Sequence, residues 1–226
     1  MDINKIIIGY RKIIDELALT KNMETDLKKK KDLENFENTL RRSLRSTEIH
    51  QRIKSLYIRR QFIEYICFLS QFIEFQIKQI ISQCQELAFL TGKKLQIEKD
   101  LEEKPLGGLI NTLENKCVSD FDLIKQLRDF NELRIRAIHK IFEIKYEIED
   151  VENEIEIKLN LNTVYKNIIN SLERYIYGIT NKIINTKDKS GAIPSEAKSA
   201  IEKIRKKMEE LDPLLKDKNI QRNIKI

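Results

Sequence analysis

The 226-residue chain has no tryptophan and only 3 prolines, 6 glycines, 3 cysteines and 2 histidines. Each scarcity excludes something. So little Gly and Pro leaves too little turn chemistry for a many-stranded sandwich or barrel. Cys67, Cys84 and Cys117 form no Cys-x-x-Cys pair, and neither His50 nor His139 completes a zinc-ligand spacing, so no metal is expected. An odd, scattered set of cysteines reads as free thiols in a reducing cytoplasm. No apolar run reaches the roughly 18 residues that a membrane span needs. The nearest, "QFIEYICFLSQFIEF", is interrupted by Glu64 and Glu74. The opening "MDINKIIIGYRKII" lacks the apolar core and small-residue cleavage site of a signal peptide. There is no P-loop, no Gly-x-Gly-x-x-Gly, no His-Glu-x-x-His and no nucleophile elbow. These absences lead us to expect a cytoplasmic protein with no cofactor and no membrane association.

What is present is helical. Hydrophobic residues make up 41% of the chain and charged residues 35%, a mix that suits amphipathic helices. The net charge of +6 favours polyanionic partners without specifying one. Residues 3–20 form a short amphipathic segment. Residues 22–60 are charge-dense, with "KKKK" at 28–31 and Arg41, Arg42, Arg45, Arg52, Arg59 and Arg60, and read as a solvated helix face. Over 61–90 apolar residues recur at helical spacing from Phe62 to Ile81, which predicts a core helix.

Gly92, Pro105, Gly107 and Gly108 then punctuate a break, followed by a short helix at about 109–115. Ser119 is the expected N-cap of the next helix, with Asp120 and Asp122 at its positive end. From there a seam of apolar residues, Leu123 to Ile155, predicts uninterrupted helix to about 158. "NLNTVYK" is a weak interruption before a helix at about 163–185. "NTKDKSGAIPS" is a linker, and Ser195 is the expected cap of a last helix at about 195–210. The tail "DKNIQRNIKI" is compatible with disorder or with docking on a partner. The sum is an all-α chain: an elongated helical bundle with a long helical hairpin and extra terminal helices. Its expected divisions are a charged extension at 1–54, a bundle at 55–185, and a linker with a C-terminal helix at 186–226.

One residue on the seam is out of place. With each residue turning roughly 100°, Arg134 falls near the centre of the arc filled by Ile135, Ala137, Ile138, Ile141 and Phe142. A guanidinium there must find a carboxylate, a phosphate or a wet cleft. Glu64 and Glu74 are the candidate carboxylates. His139 falls at the edge of the arc, and Arg136, Lys140 and Glu143 face away from it. A second Arg-x4-His pair, Arg45 and His50, lies on the charge-dense helix and reads as part of its basic surface.

"LRDFNELRIRAIHKIF" resembles the signature helix of the HEPN superfamily, all-α domains with an Arg-x4-6-His motif. Leu127, Phe130, Asn131, Leu133, Arg134 and His139 match its pattern, and "PLGGLI" at 105–110 is similar to an element many members carry upstream. The resemblance covers roughly residues 55–160. It implies a homodimer with two motifs in one basic cleft and metal-independent cleavage of RNA, in a defence, toxin–antitoxin or stress system, with an antitoxin or other protein as a further partner. His139 would then be the acid–base group and Arg134 the clamp on the scissile phosphate, as suits an imidazole and a bidentate guanidinium. Arg136 and Lys140 would track the RNA backbone. Two features depart from the family: Ile135 stands where a polar residue is usual, and no tyrosine follows His139 in a His-x-Tyr extension. A second reading, from a different class, is a non-catalytic helical scaffold whose seam pairs with itself or with a partner helix.

Overall fold

The computed structural model describes residues 3–97, 100–143, 145–189, 222–225, and the single residues Glu202 and Lys206. All the regular elements among them are helical, as the periodicity predicts. The chain divides into two compact units, Met1–Gln61 and Phe62–Ile226. The first therefore ends at Gln61, beyond the expected boundary at 54. The expected linker and last helix at 186–226 lie mostly outside the described residues.

The first unit pairs α1 (Ile3–Met23) with α2 (Leu27–Ile58). Not all of its charge is solvated. Glu37 is 6% exposed. It accepts from Lys21 across the pair at 2.6 Å and from Arg41 one turn along at 2.7 Å. Lys21, and then Arg41, hold its carboxyl below the usual range. The charge run thus hides a carboxylate that ties the two helices together.

The second unit is built around α3 (Phe62–Leu90), which packs against α4 (Leu106–Lys116), α5 (Phe121–Ile141), α6 (Ile148–Lys158) and α8 (Asn170–Lys189). Its buried residues run from Phe62 to Ala88, the length of the apolar pattern. Between α6 and α8 lie the short α7 (Leu161–Val164) and a π-helical turn, Tyr165–Ile169. The Tyr65 hydroxyl donates to the Leu159 carbonyl at 3.1 Å, fixing the end of α6 to α3.

Several local expectations change. Helix α4 starts at Leu106, directly after Pro105, so Gly107 and Gly108 lie inside its first turn rather than before it. The cap of α5 is Asp120, whose carboxylate accepts from the Leu123 amide at 3.0 Å. The other Asp120 oxygen accepts from the Tyr175 hydroxyl of α8 at 2.9 Å. Ser119, the expected cap, bonds instead to the Asn223 carbonyl through both its amide and its hydroxyl.

The helix expected to run unbroken to 158 stops at Ile141. Over 142–148 the apolar residues Phe142, Ile144, Tyr146 and Ile148 alternate with Glu143, Lys145 and Glu147. That period of two presents no single face to a helical seam. The chain turns there and α6 packs back on α5. The described residues of the tail meet their own chain and not a partner: Ile224 forms an antiparallel bridge with Val118, and the Lys225 amide donates to the Cys117 carbonyl at 2.9 Å.

Candidate functional site

Helix α5 carries the motif. Leu123, Ile124, Leu127, Phe130, Leu133 and Ala137 are buried along it, and this anchored face fixes where its polar residues point. Arg134 is the cation on that face. Its Nη1 donates to Ser70 Oγ at 2.9 Å and to Glu74 Oε1 at 3.3 Å, both on α3. Glu74 is one of the two carboxylates the sequence offers. The side chains of Arg134 and Glu74 are 20% and 26% exposed, so the pair is partly shielded and still reached by solvent.

The guanidinium is held through one nitrogen. Its Nε is buried and has no hydrogen-bond partner. Nε and Nη2 form the edge of a guanidinium that grips an oxyanion bidentately. Arg134 is thus fixed by α3 through Nη1, the Nε of its other edge is enclosed by protein, and only the solvent-reached part of the guanidinium is open to an anion.

His139 lies one and a half turns further along and is exposed. Its carbonyl accepts from the Phe142 amide at the helix end. No direct contact joins His139 to Arg134 among the described residues. The motif's two members therefore share one helix, one half-buried and one open to solvent.

Arg136 and Lys140 converge on a residue the sequence reading did not single out. Glu154 of α6 accepts from Lys140 at 2.6 Å and Lys158 at 2.7 Å, and Arg136 Nε lies 3.6 Å from the same carboxylate. Lys140, and then Lys158, hold its carboxyl down at about 2. Three cations around one carboxylate leave a local positive excess. Lys140 also lies over the Tyr146 ring, 5.0 Å from its centroid. The Glu154–Lys158 pair is legible in the sequence as an i,i+4 spacing. Its meeting with Arg136 and Lys140 depends on the turn at 142–147 and has no sequence signal.

Beside this cluster a cleft of about 420 Å³ opens between α5, the end of α6 and the π-helical turn. Phe130 and Ile168 contribute apolar floor, Gln126 contributes an amide, and the cations Arg136 and Lys158 are matched in number by the carboxylates Asp129 and Glu132. Gln126 Oε1 is buried without a hydrogen-bond partner. A π-turn widens a helix locally and is frequent at functional sites.

The second Arg/His pair belongs to the first unit. Arg45 is exposed and 3.9 Å from Glu48, while His50 is half-buried. Among the described residues no group of His, Cys, Asp and Glu could hold a metal ion. None of the described helices is long and apolar enough to cross a membrane. Comparison with protein-family models, curated proteins and solved structures returns no match for the chain.

Proposed function

We propose that this is a HEPN-like, RNA-directed protein that acts as a homodimer in a defence, toxin–antitoxin or stress setting and cleaves RNA without a metal. The observation that carries the reading is Arg134. It is fixed on the packing face by Ser70 and Glu74 through Nη1 and is still reached by solvent. A guanidinium still reached by solvent could meet a phosphodiester through its accessible part. His139, exposed on the same helix, would move the protons as a ribose 2′-hydroxyl attacks the adjacent phosphorus. The excess charge of Arg136, Lys140 and Lys158 over Glu154 would hold the backbone. The cleft beside Arg136 is of a size that admits an unstacked base.

A second reading has its own support. The Arg134–Glu74 ion pair is already made within the bundle, as in a structural pair. Ile135 on α5, Phe142 at its C-terminal end and Ile148 at the start of α6 are exposed apolar residues. A non-catalytic scaffold that dimerises or binds a partner helix through them would use both features.

One assay separates the two. Wild type and the variants Arg134→Ala and His139→Ala are incubated with structured and unstructured RNA in EDTA. Cleavage by wild type alone, with both variants folded, supports the nuclease. Absence of cleavage by wild type, together with loss of self-association in Phe142→Asp, supports the scaffold.

A further inference from the structure

The second half of α2 carries charge of one sign. From Ile49 to Ile63 the chain has no Asp or Glu, while Arg52, Lys54, Arg59 and Arg60 fall within it. Arg45, Arg52 and Arg59 stand seven residues apart, about two turns of helix, and all three are exposed. Arg59 lies one residue beyond α2, but its amide donates to the Ser55 carbonyl at 3.0 Å, so the helical register holds as far as this side chain. With Arg52 at zero on a helical wheel, Arg45 falls at about +20° and Arg59 at about −20°. The buried Leu56 and Ile53 fall at about 40° and 100°, on the adjoining side. Burial of that side fixes the rotation of the helix and turns the three guanidiniums outward together. They form one row, about 10 Å from one to the next and about 20 Å long.

The row is poorly neutralised by the protein itself. Among the described residues, Arg52 and Arg59 have no carboxylate partner. Arg45 reaches only Glu48, at 3.9 Å, and that carboxylate is already held by Arg11 of α1 at 3.0 Å. Arg41 falls on the same arc one turn earlier, but Glu37 holds it at 2.7 Å. The unneutralised row therefore begins at Arg45. The helix dipole favours a cation in the last turn, which accounts for Arg59 but not for Arg45 and Arg52.

We propose that the Arg45–Arg52–Arg59 row is a docking surface for the phosphodiester backbone of a nucleic acid, held along its length and without regard to base sequence. A nucleic-acid backbone carries its charge in a continuous line, and a straight row of cations matches a line. An acidic protein surface carries its charge in patches of mixed sign and offers no such match. Guanidinium forks take phosphate oxygens through paired hydrogen bonds, and contacts of this kind position a strand without reading it. The row belongs to the first unit, whereas Arg134, Arg136 and Lys140 belong to the second. The inference rests on the reading of RNA as a partner and not on cleavage at His139.

The test uses the full chain and a short labelled 2′-O-methyl RNA, which cannot be cut by attack of its own 2′-hydroxyl. Binding is thus read whether or not the protein is a nuclease. A DNA strand of the same sequence is the second arm, and affinity is followed by fluorescence anisotropy across a salt series. The triple variant Arg45→Gln, Arg52→Gln, Arg59→Gln is expected to bind about tenfold or more weakly at low salt. Its slope of log affinity against log salt should flatten by about two, the counterions released by three contacts on a single strand. Loss in the RNA arm alone assigns the row to RNA, and equal loss in both arms assigns it to either backbone. The control removes the same charge from the exposed Lys12, Lys93 and Lys94, each changed to Gln, and should lose much less. The stripe variant should lose as much again in an Arg136→Ala background, where backbone contact by the second unit is weakened. An equal loss in the lysine control would show that only the net charge of the chain matters, and would overturn the row. Unchanged affinity and slope in the stripe variant, with helical content the same by circular dichroism, would overturn it as well.

Discussion

Helix α2 closes on Arg60, with φ +59°, and α3 closes on Gly92, with φ +71°. The two ends use the same pair of bonds: Gln61 to Leu56 and Arg60 to Tyr57 in one, Lys93 to Ala88 and Gly92 to Phe89 in the other. Glycine takes the left-handed conformation without a Cβ clash, whereas arginine is strained in it. Arg60→Gly is therefore expected to stabilise the protein by about 0.5–1 kcal/mol. Urea unfolding should show a higher midpoint at an unchanged slope. A lower midpoint would mean that the Arg60 side chain contributes more than its backbone costs.

Arg134 belongs to the same scale. If its role is to bind an external anion, the fold should tolerate its loss, because solvent reaches both it and Glu74. Arg134→Leu is expected to cost no more than about 1 kcal/mol, in the range of solvent-reached ion pairs. A structural buried pair broken on one side would cost about 3–5 kcal/mol. Chemical denaturation of the variant distinguishes the two values directly.

Among the elements, α5 is held at its start by a single carboxylate with two partners. Asp120 caps the helix through Leu123 and anchors it to α8 through Tyr175. Asp120→Ala removes both bonds and is expected to cost about 2 kcal/mol, the upper range for a cap. Tyr175→Phe, which spares the cap, should cost about 1 kcal/mol, the worth of one hydrogen bond. Equal losses in the two variants would show that the cap itself contributes nothing.

These same elements show what could be read from sequence. The core face of α3 and the buried seam from Leu123 to Ala137 follow from local periodicity, because burial on a helix repeats with its pitch. The misplacement of Arg134 on that seam was legible for the same reason, and so was Glu74 as a partner. The turn at 142–147 was lost because spacings of three and four happen to continue through Ile141, Ile144 and Ile148. Ile148 is in fact exposed. The choice of Asp120 over Ser119 as cap was hidden because both can accept from the first turn. It was decided by Tyr175 and Asn223, remote residues that only the fold brings near.

Across the second unit, three cations from α5 and α6 converge on one carboxylate. Glu154 neutralises part of the cluster formed by Arg136, Lys140 and Lys158. Its carboxyl is held at about 2, against an ordinary value of 4.5. A lowered folded-state value means that the contribution to stability is fully present above about 4.5 and is lost as the pH falls toward 2. Glu154→Gln should therefore destabilise the protein by about 1 kcal/mol at neutral pH, after allowance for solvent screening. The difference from wild type should vanish in acid. The same substitution frees three cations, so if the cluster binds the RNA backbone, affinity should rise. The slope of log affinity against log salt should also steepen by about one counterion. Arg136→Ala should act oppositely, weakening RNA binding and flattening the slope. Opposite signs for stability and RNA affinity in Glu154→Gln, measured by urea unfolding and by binding across a salt series, are the outcome that a purely structural cluster does not produce. If RNA affinity stays level while stability falls, the cluster does no more than join α6 to α5.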